Sequence, residues 1–389
     1  MNIVHVVVIG AGLMGRAITS DLIKNSSFEK VTMIDKSKKA LTETSQIINN
    51  DRLHLSNVDI TNDEEIEDPI RSADVLISAV PYYYNLSLTK QCILHHTHFI
   101  DLGGNNTVVS QQRDLSKKAK KNQVTIIPDS GLAPGLVSII TRDIVEKNNA
   151  VESVHIRVGG LPVHPQPPLN YEIVFSPNGL INEYMEDALV LQNKKIKMKP
   201  SMTEREIIEF PEPFGKMEAF ITSGGSSTLP YTYQHKINTL DYKTIRYPGH
   251  CEKMKILLDL GFGSTKPIAV DTTMIPPRKM LISLLNQSLP KTNEDVVLLK
   301  VLSKVKRKNT YMNIQYQLID YFDKQTGFTA MMRTTGFPVA ITADLLARNI
   351  ITQYGVFCPE EIIPPSLFFD ELRKRDIDIK IKETSVENG

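Results

Sequence analysis

The chain has little cysteine, almost no net charge and no long apolar run, and each shortage removes a class of function. Its three cysteines, Cys92, Cys251 and Cys358, lie far apart, without a C-x-x-C pair or a histidine at ligand spacing. Neither a disulfide framework nor a structural zinc is expected, and no metal site is predicted. Lysine and arginine number 45 against 44 aspartate and glutamate, a formal net charge of +1. Such a chain has no global field to recruit nucleic acid or an anionic membrane, so neither is an expected partner. No apolar run reaches the ~18 residues of a membrane span, and the first residues show no signal-peptide pattern; the expected location is cytoplasmic. Repeats and low-complexity segments are also absent. What is present, 389 residues of which 41% are hydrophobic and 23% charged, suits two or three soluble domains.

The most informative stretch is the start. Val6, Val7, Val8 and Ile9 form a β-branched run that reads as a strand buried on both faces of a parallel sheet. Gly10, Gly12 and Gly15 follow with G-x-G-x-x-G spacing. Gly10 permits the turn out of the strand, Gly12 lets backbone approach a pyrophosphate, and Gly15 lets the next helix pack closely. That helix starts near Leu13, and its first N–H groups, at Leu13, Met14 and Gly15, form an anion site. A lone glycine motif is weak, but this one leaves a predicted strand and opens an apolar-periodic helix. A second strand then ends at Asp35, where a carboxylate accepts hydrogen bonds from the adenosine ribose and repels a 2′-phosphate. The predicted cofactor is therefore NAD over NADP, a preference that Lys36, Lys38 and Lys39 would soften.

Strand and helix patterns go on alternating to about Lys147, which implies right-handed crossovers and a doubly wound parallel α/β sheet. Such sheets bind ligands outside the carboxyl ends of their strands. That rule gathers Gly10, Asp35, Asp59, Ala79, Val80, Pro81 and the tyrosines 82–84, then 101–105 and 129–134, into one crevice. Beyond it the texture changes. Residues 153–160 alternate with period two, 162–168 are proline-rich, and alternating strands recur at 207–210, 239–246, 295–304 and 312–321, which suggests a second α+β domain with antiparallel pairing. An amphipathic helix is predicted over Phe337 to Gly355, with Pro338 in its first turn.

Two stretches of the second domain hold more polar chemistry than a core requires. Thr222 to Leu229 reads TSGGSSTL, as well suited to a polar turn as to a ligand loop. Arg246, Tyr247 and His250 flank a Pro-Gly turn, and Arg246 carries the paired donors that clamp a carboxylate.

These segments together resemble the saccharopine dehydrogenase-like superfamily, and within it the lysine 6-dehydrogenases. The resemblance covers essentially the whole chain, through VIGAGLMG, HFIDLGG, IIPDSGLAPG, VGGLPVHPQPPLNYEIVFSPNGLINEY, EAFITSGGSSTL, LDYKTIRYPGHCEK and GVFCPEEIIP. It implies a Rossmann domain over 1–133, an inserted substrate and oligomerisation domain over 134–336, and a C-terminal helix and tail over 337–389 returning to the Rossmann half. It further implies NAD on Gly10, Gly12, Gly15 and Asp35, an amino-acid substrate between the domains, and a homodimer or higher homo-oligomer. Tyr82, Tyr83, Tyr84, Asp129, Tyr171, Ser226, Thr228, Arg246 and His250 are placed at or near the substrate.

The implied reaction is oxidative deamination of the ε-amine of L-lysine to 2-aminoadipate 6-semialdehyde, which cyclises to piperideine-6-carboxylate, with release of ammonia. Asp129 and His250 are the candidates for the base and for activating water, and Asp129 could equally cap the helix that follows it. One rival is a saccharopine reductase or carboxynorspermidine-type enzyme, whose larger acidic substrate needs a second cation such as Arg157 or Arg278. The other is an NAD-binding sensor without turnover.

Overall fold

Val6, Val7 and Val8 are fully buried in the strand His5–Ile9 (β1), as a run with no polar face must be when both faces are covered. In the computed structural model, which describes residues 4–292 and 294–385, β1 is central to a seven-stranded parallel sheet. Lys30–Asp35 (β2) pairs on one side of β1 and carries Leu53–Asn57 (β3) beyond it. Val75–Ser78 (β4) pairs on the other side and is followed outward by His98–Asp101 (β5) and Thr125–Ile127 (β6). The order 3-2-1-4-5-6 puts the topological switch point between β1 and β4, where a doubly wound sheet opens its crevice. Register aligns Ile9 with Ile34 and with Ser78, so the residues that follow, Gly10, Asp35 and Ala79, emerge together.

The chain divides into two units, Met1–Asp143 with Met332–Asp378, and Ile144–Met331 with Ile379–Gly389. The boundaries differ from the expected 133/134 and 336/337, and the tail does not all return to the first unit. The strand Lys380–Ser385 pairs antiparallel with 312–317 in the second unit's sheet.

The predicted helix over 337–355 is displaced. It runs over Ala330–Ala347, with Pro338 inside it and not in its first turn. The cause is remote in sequence: the buried Asp295 carboxylate accepts the N–H groups of Ala330 and Met331, at 2.5 and 2.9 Å, and so fixes the helix start. Within the first unit Gly336 lets this helix approach the helix Leu13–Asn25, since a Cβ there would meet Ala17 Cβ at 2.9 Å. Gly355 does not close a helix but begins the short strand Gly355–Val356, which pairs parallel with β6.

The second unit is built on a nine-stranded mixed sheet. Its centre departs from antiparallel expectation, because Ile237–Arg246 lies parallel to Ala150–Pro162. Asp295–Arg307 and Thr310–Tyr321 form a long antiparallel hairpin beside them. Helices Pro177–Met185, His250–Asp259 and Pro277–Ser288, none anticipated, bury Leu180, Ile181, Tyr184, Met254, Leu281 and Leu285 in one core with Phe220.

Candidate functional site

The first unit presents the glycine loop at the carboxyl end of its sheet. Gly10 has φ +100°, and a Cβ on it would meet the Ala79 carbonyl oxygen at 2.8 Å, so β1 and β4 can diverge only if this position lacks a side chain. Gly15 is tighter still, with an added Cβ 1.7 Å from the Gly10 oxygen. Gly12 is the reverse: it caps the helix Leu13–Asn25 from outside, and nothing lies within 4 Å of an added Cβ. The first intrahelical bond is Arg16 N–H to the Gly12 carbonyl at 3.0 Å, which leaves the N–H groups of Leu13, Met14 and Gly15 outside the ladder. An open cradle over a helix N-terminus of thirteen residues fits a dinucleotide pyrophosphate.

Asp35 stands at the end of β2. Its Oδ2 accepts Ala11 N–H and its Oδ1 accepts Ser37 N–H, both at 2.7 Å. The carboxylate thus ties the glycine loop down, while each oxygen has a second lone pair for a ribose hydroxyl. Asp35→Asn is expected to keep one of these acceptors and to shift the ratio of kcat/KM values toward NADP on the order of tenfold, by removing the charge that repels a 2′-phosphate. Paired initial-rate measurements with both cofactors check this, and an unchanged ratio would contradict the assignment of Asp35.

Other predicted residues on this unit have plainer settings. Asp59 accepts both the amide and the hydroxyl of Thr61, which holds its pKa below the usual carboxylate value and makes it a turn residue after β3. Val80 packs on the sheet core, and Tyr84 joins it there. Tyr83 is 61% exposed. Tyr82 lies beside Gly104, where an added Cβ would meet its ring at 3.4 Å.

Asp129 is buried just beyond β6 in the left-handed region, with φ +61°, a backbone state uncommon outside glycine and one that aspartate and asparagine enter more readily than most residues. Gly103 leaves room for it, since a Cβ there would stand 1.9 Å from Asp129 Oδ1. The helix Leu136–Lys147 takes its first bonds from the Gly131 and Leu132 carbonyls. Asp101, at the end of β5, is the first residue of the 101–105 stretch that the strand-end rule placed in the crevice. Burial pushes its pKa up to about 6, opposed by donors from Gln112 and Gly103 at 2.7 Å, and it also receives the Asp129 amide at 3.4 Å.

The second unit contains a different constellation. Strand Ile237–Arg246 delivers Arg246 into the core, where it is 2% exposed. Its Nε donates to the Tyr184 hydroxyl and its Nη1 to the Ile245 carbonyl, each at 2.8 Å, and its guanidinium lies over the Tyr171 ring at 4.8 Å. Among the described residues no carboxylate lies within ion-pair distance of it, and Nη2 has no hydrogen-bond partner. Burial opposes its charge, but Tyr184, Tyr171 and Glu183 hold its pKa above the usual value.

His250 begins the helix His250–Asp259, whose start is fixed by the buried Glu218 carboxylate accepting the amides of Gly249 and Cys251 at 3.2 and 2.7 Å. Its Nδ1 lies 3.0 Å from the Leu169 carbonyl, which can only accept, so Nδ1 bears the proton. Nε2, 3.0 Å from the Tyr184 hydroxyl, is then the acceptor. Burial and the Arg246 charge push the His250 pKa down to about 3. Both nitrogens have partners inside the core, an arrangement suited to aligning Tyr184, which in turn aligns Arg246.

Of the remaining predicted residues, Tyr171 belongs to this cluster, packing edge-on to His250. Ser226 does not, because its hydroxyl donates to the Leu189 carbonyl at 3.0 Å. Thr228 starts the one-turn helix Leu229–Thr232 through its carbonyl. The loop they share is a buttress, with Ser223 N–H donating to the Glu183 carbonyl at 3.0 Å. Tyr184 and Glu183 were missed, although the segment containing them was quoted for its resemblance. The only local signal was a Ser-Pro helix start at Ser176 and Pro177.

Comparison with known proteins gives a consistent family. Residues 131–378 match the saccharopine dehydrogenase C-terminal domain, and residues 6–127 the saccharopine dehydrogenase NADP binding domain. The mitochondrial α-aminoadipic semialdehyde synthase of Rattus norvegicus is 22% identical over 93% of this chain and 46% of its own length. The NADP(+), L-glutamate-forming saccharopine dehydrogenase of Saccharomyces cerevisiae is 23% identical over 66% of this chain and 58% of its own. The chain thus spans about half the length of the curated relatives it matches. Among solved structures, the yeast L-Glu-forming saccharopine dehydrogenase has a TM-score of 0.80 at 20% identity, covering 98% of this chain and 99% of that one. A Legionella pneumophila homospermidine synthase in complex with NAD has a TM-score of 0.70 at 15% identity, covering 99% and 92%. These last two likenesses show the fold.

Proposed function

Since the chain belongs to the saccharopine dehydrogenase family, we propose that it is an NAD-dependent oxidoreductase that removes the ε-amine of L-lysine as ammonia. The product is 2-aminoadipate 6-semialdehyde, which cyclises to piperideine-6-carboxylate. The observation that carries this reading is Arg246, a buried cation with no carboxylate within ion-pair distance among the described residues. An uncompensated buried charge costs several kcal/mol, and a ligand carboxylate removes that cost. The other two cations considered for a larger acidic substrate are already engaged, which favours lysine. Arg157 is unsuited to be a second clamp, since Glu206 and Asp241 both pair with it, and Arg278 is engaged by Asn182 and the Gly263 carbonyl. The names of the relatives favour a second reading, in which the substrate is saccharopine.

NAD would be held by Gly10, Gly12, the first-turn amides of Leu13 to Gly15, and Asp35, and when bound it supplies the hydride acceptor. Arg246 fixes the α-carboxylate of lysine. Free lysine has an ε-ammonium pKa of ~10.4, yet hydride leaves the ε-carbon only when the nitrogen lone pair is free. The Asp129 carboxylate takes the proton that must be lost. Loss of hydride and of one N–H proton leaves an imine. Water then adds at the ε-carbon, the C–N bond breaks, and ammonia departs. The expected outcome is NADH formation from L-lysine and NAD with no other amine or oxo acid, at initial rates that rise from pH 7 toward pH 10 as the neutral amine becomes abundant. A protein that binds NAD but turns over no amine would be a sensor, and the reading would fail.

A further inference from the structure

Arg16 follows the last glycine of the motif, in the first turn of the helix Leu13–Asn25. Its Nε donates back to the Ala11 carbonyl at 3.0 Å and its Nη2 to Glu43 Oε2 at 2.6 Å, which leaves 18% of the side chain exposed. Ala11 is also the residue whose amide Asp35 accepts, so Asp35 and Arg16 hold the N–H and the C=O of the same loop residue. Glu43 stands on the helix Lys38–Ile47, which Ser37 caps by accepting the Ala40 amide and whose Leu41 packs with Ala11 and Met33. That packing seats the helix against the glycine loop and turns Glu43 toward Arg16, with Lys39, one turn earlier, 3.9 Å from Glu43 Oε1. The hydrogen bond from Arg16 holds the Glu43 carboxyl below its usual pKa, so it is ionised at neutral pH. A guanidinium clamps a phosphate through paired donors. Here one stands beside the ribose carboxylate with two of its nitrogens already engaged.

Resting on the assignment of the glycine loop and Asp35 to the dinucleotide, we infer that Glu43 is a second determinant of cofactor choice, acting through Arg16: it holds the guanidinium that would otherwise clamp the 2′-phosphate of NADP. The two carboxylates then discriminate in different ways. Asp35 repels a 2′-phosphate directly, whereas Glu43 withholds the cation that would offset the repulsion. The 2′-phosphate must compete with Glu43 for Arg16, and it meets a net charge of zero where an unpaired Arg16 would offer +1. Lys36 and Lys38 are exposed, where water and salt weaken their pull on a phosphate, and do not replace it. Glu43 is therefore a positioning residue for specificity, with no contact to the cofactor required of it.

Calorimetric binding of ADP-ribose and of 2′-phospho-ADP-ribose tests this apart from any turnover, because neither probe carries a nicotinamide. The Glu43 side chain is 43% exposed and glutamine is a comparable helix former, so Glu43→Gln keeps the fold. It is expected to raise affinity for 2′-phospho-ADP-ribose about tenfold while affinity for ADP-ribose stays within about twofold. Adding Arg16→Met to Glu43→Gln is expected to return the ratio of the two affinities to within about twofold of that of the intact protein, since the freed cation is gone. A ratio unmoved by Glu43→Gln would overturn the inference. So would a gain that survives in the double variant, because Glu43 would then act by its own charge and Arg16 would not be the clamp. Failure of the intact protein to bind ADP-ribose at all would overturn the cofactor site itself, and the inference with it; binding of ADP-ribose with Glu43 indifferent leaves the cofactor site standing and removes the inference alone.

Discussion

Arg246→Ala is expected to weaken the use of L-lysine by roughly 2–5 kcal/mol, a loss of about 30-fold to several thousand-fold in kcat/KM. The size follows from position. Arg246 is the largest of the fully buried side chains, and its fork is held rigid by Tyr184, itself aligned by the neutral His250. A carboxylate that meets a desolvated, preoriented guanidinium gains more than it would at the surface. Truncation also removes the donor to the Tyr184 hydroxyl, which keeps only its bond to His250, and opens a cavity, so a lower melting temperature will accompany the kinetic loss. Affinity for NAD should stay nearly constant, because the glycine loop and Asp35 belong to a unit with its own core. Arg246→Lys keeps the charge but not the paired donors, and should recover part of the loss. If kcat/KM for lysine were unaltered in a folded Arg246→Ala protein, the carboxylate would have to be bound elsewhere.

The second large effect contrasts two glycines of one motif. Gly12→Val should lower NAD affinity by roughly 100-fold or more, ~2.8 kcal/mol, while costing within about 1 kcal/mol of fold stability. At this helix cap φ is −75° and an added Cβ meets nothing within 4 Å, so the side chain enters the space left for the pyrophosphate and not the protein. Gly15→Val should fail differently. Its first added carbon would overlap the Gly10 carbonyl oxygen at 1.7 Å, and the strand–helix junction must move. Thermal melting and equilibrium NAD binding on both variants provide the comparison. Full NAD affinity in a folded Gly12→Val protein would remove the loop from the cofactor site.

Those two glycines also show what local sequence can convey. The parallel sheet was readable because Val6 to Ile9 and Val75 to Ile77 are apolar on every side, which only a sheet covered on both faces tolerates. The crevice followed from the rule on strand ends. What could not be read was anything set by partners distant in the chain. The helix Ala330–Ala347 begins where Asp295 places it, and no periodicity near Phe337 records that. His250 has the composition of a base, and only the Leu169 carbonyl, the Tyr184 hydroxyl and burial together convert it into a neutral aligning group. Glu183 is one acidic residue on a short helix until the fold sets it in the field of Arg246. Arg157, read from sequence as a cation that might serve a substrate, is already neutralised by Glu206 and Asp241, which lie 49 and 84 residues away.

The most direct measurement is the ratio of ammonia released to NADH formed when L-lysine and NAD are the only reactants. One hydride and one amine leave the same carbon, so the expected ratio is 1:1, with a cyclic imine as the organic product and no requirement for 2-oxoglutarate. NADH formed only when saccharopine is supplied, accompanied by lysine or glutamate and no ammonia, would contradict the assignment and move the chain to the saccharopine-cleaving branch of its family.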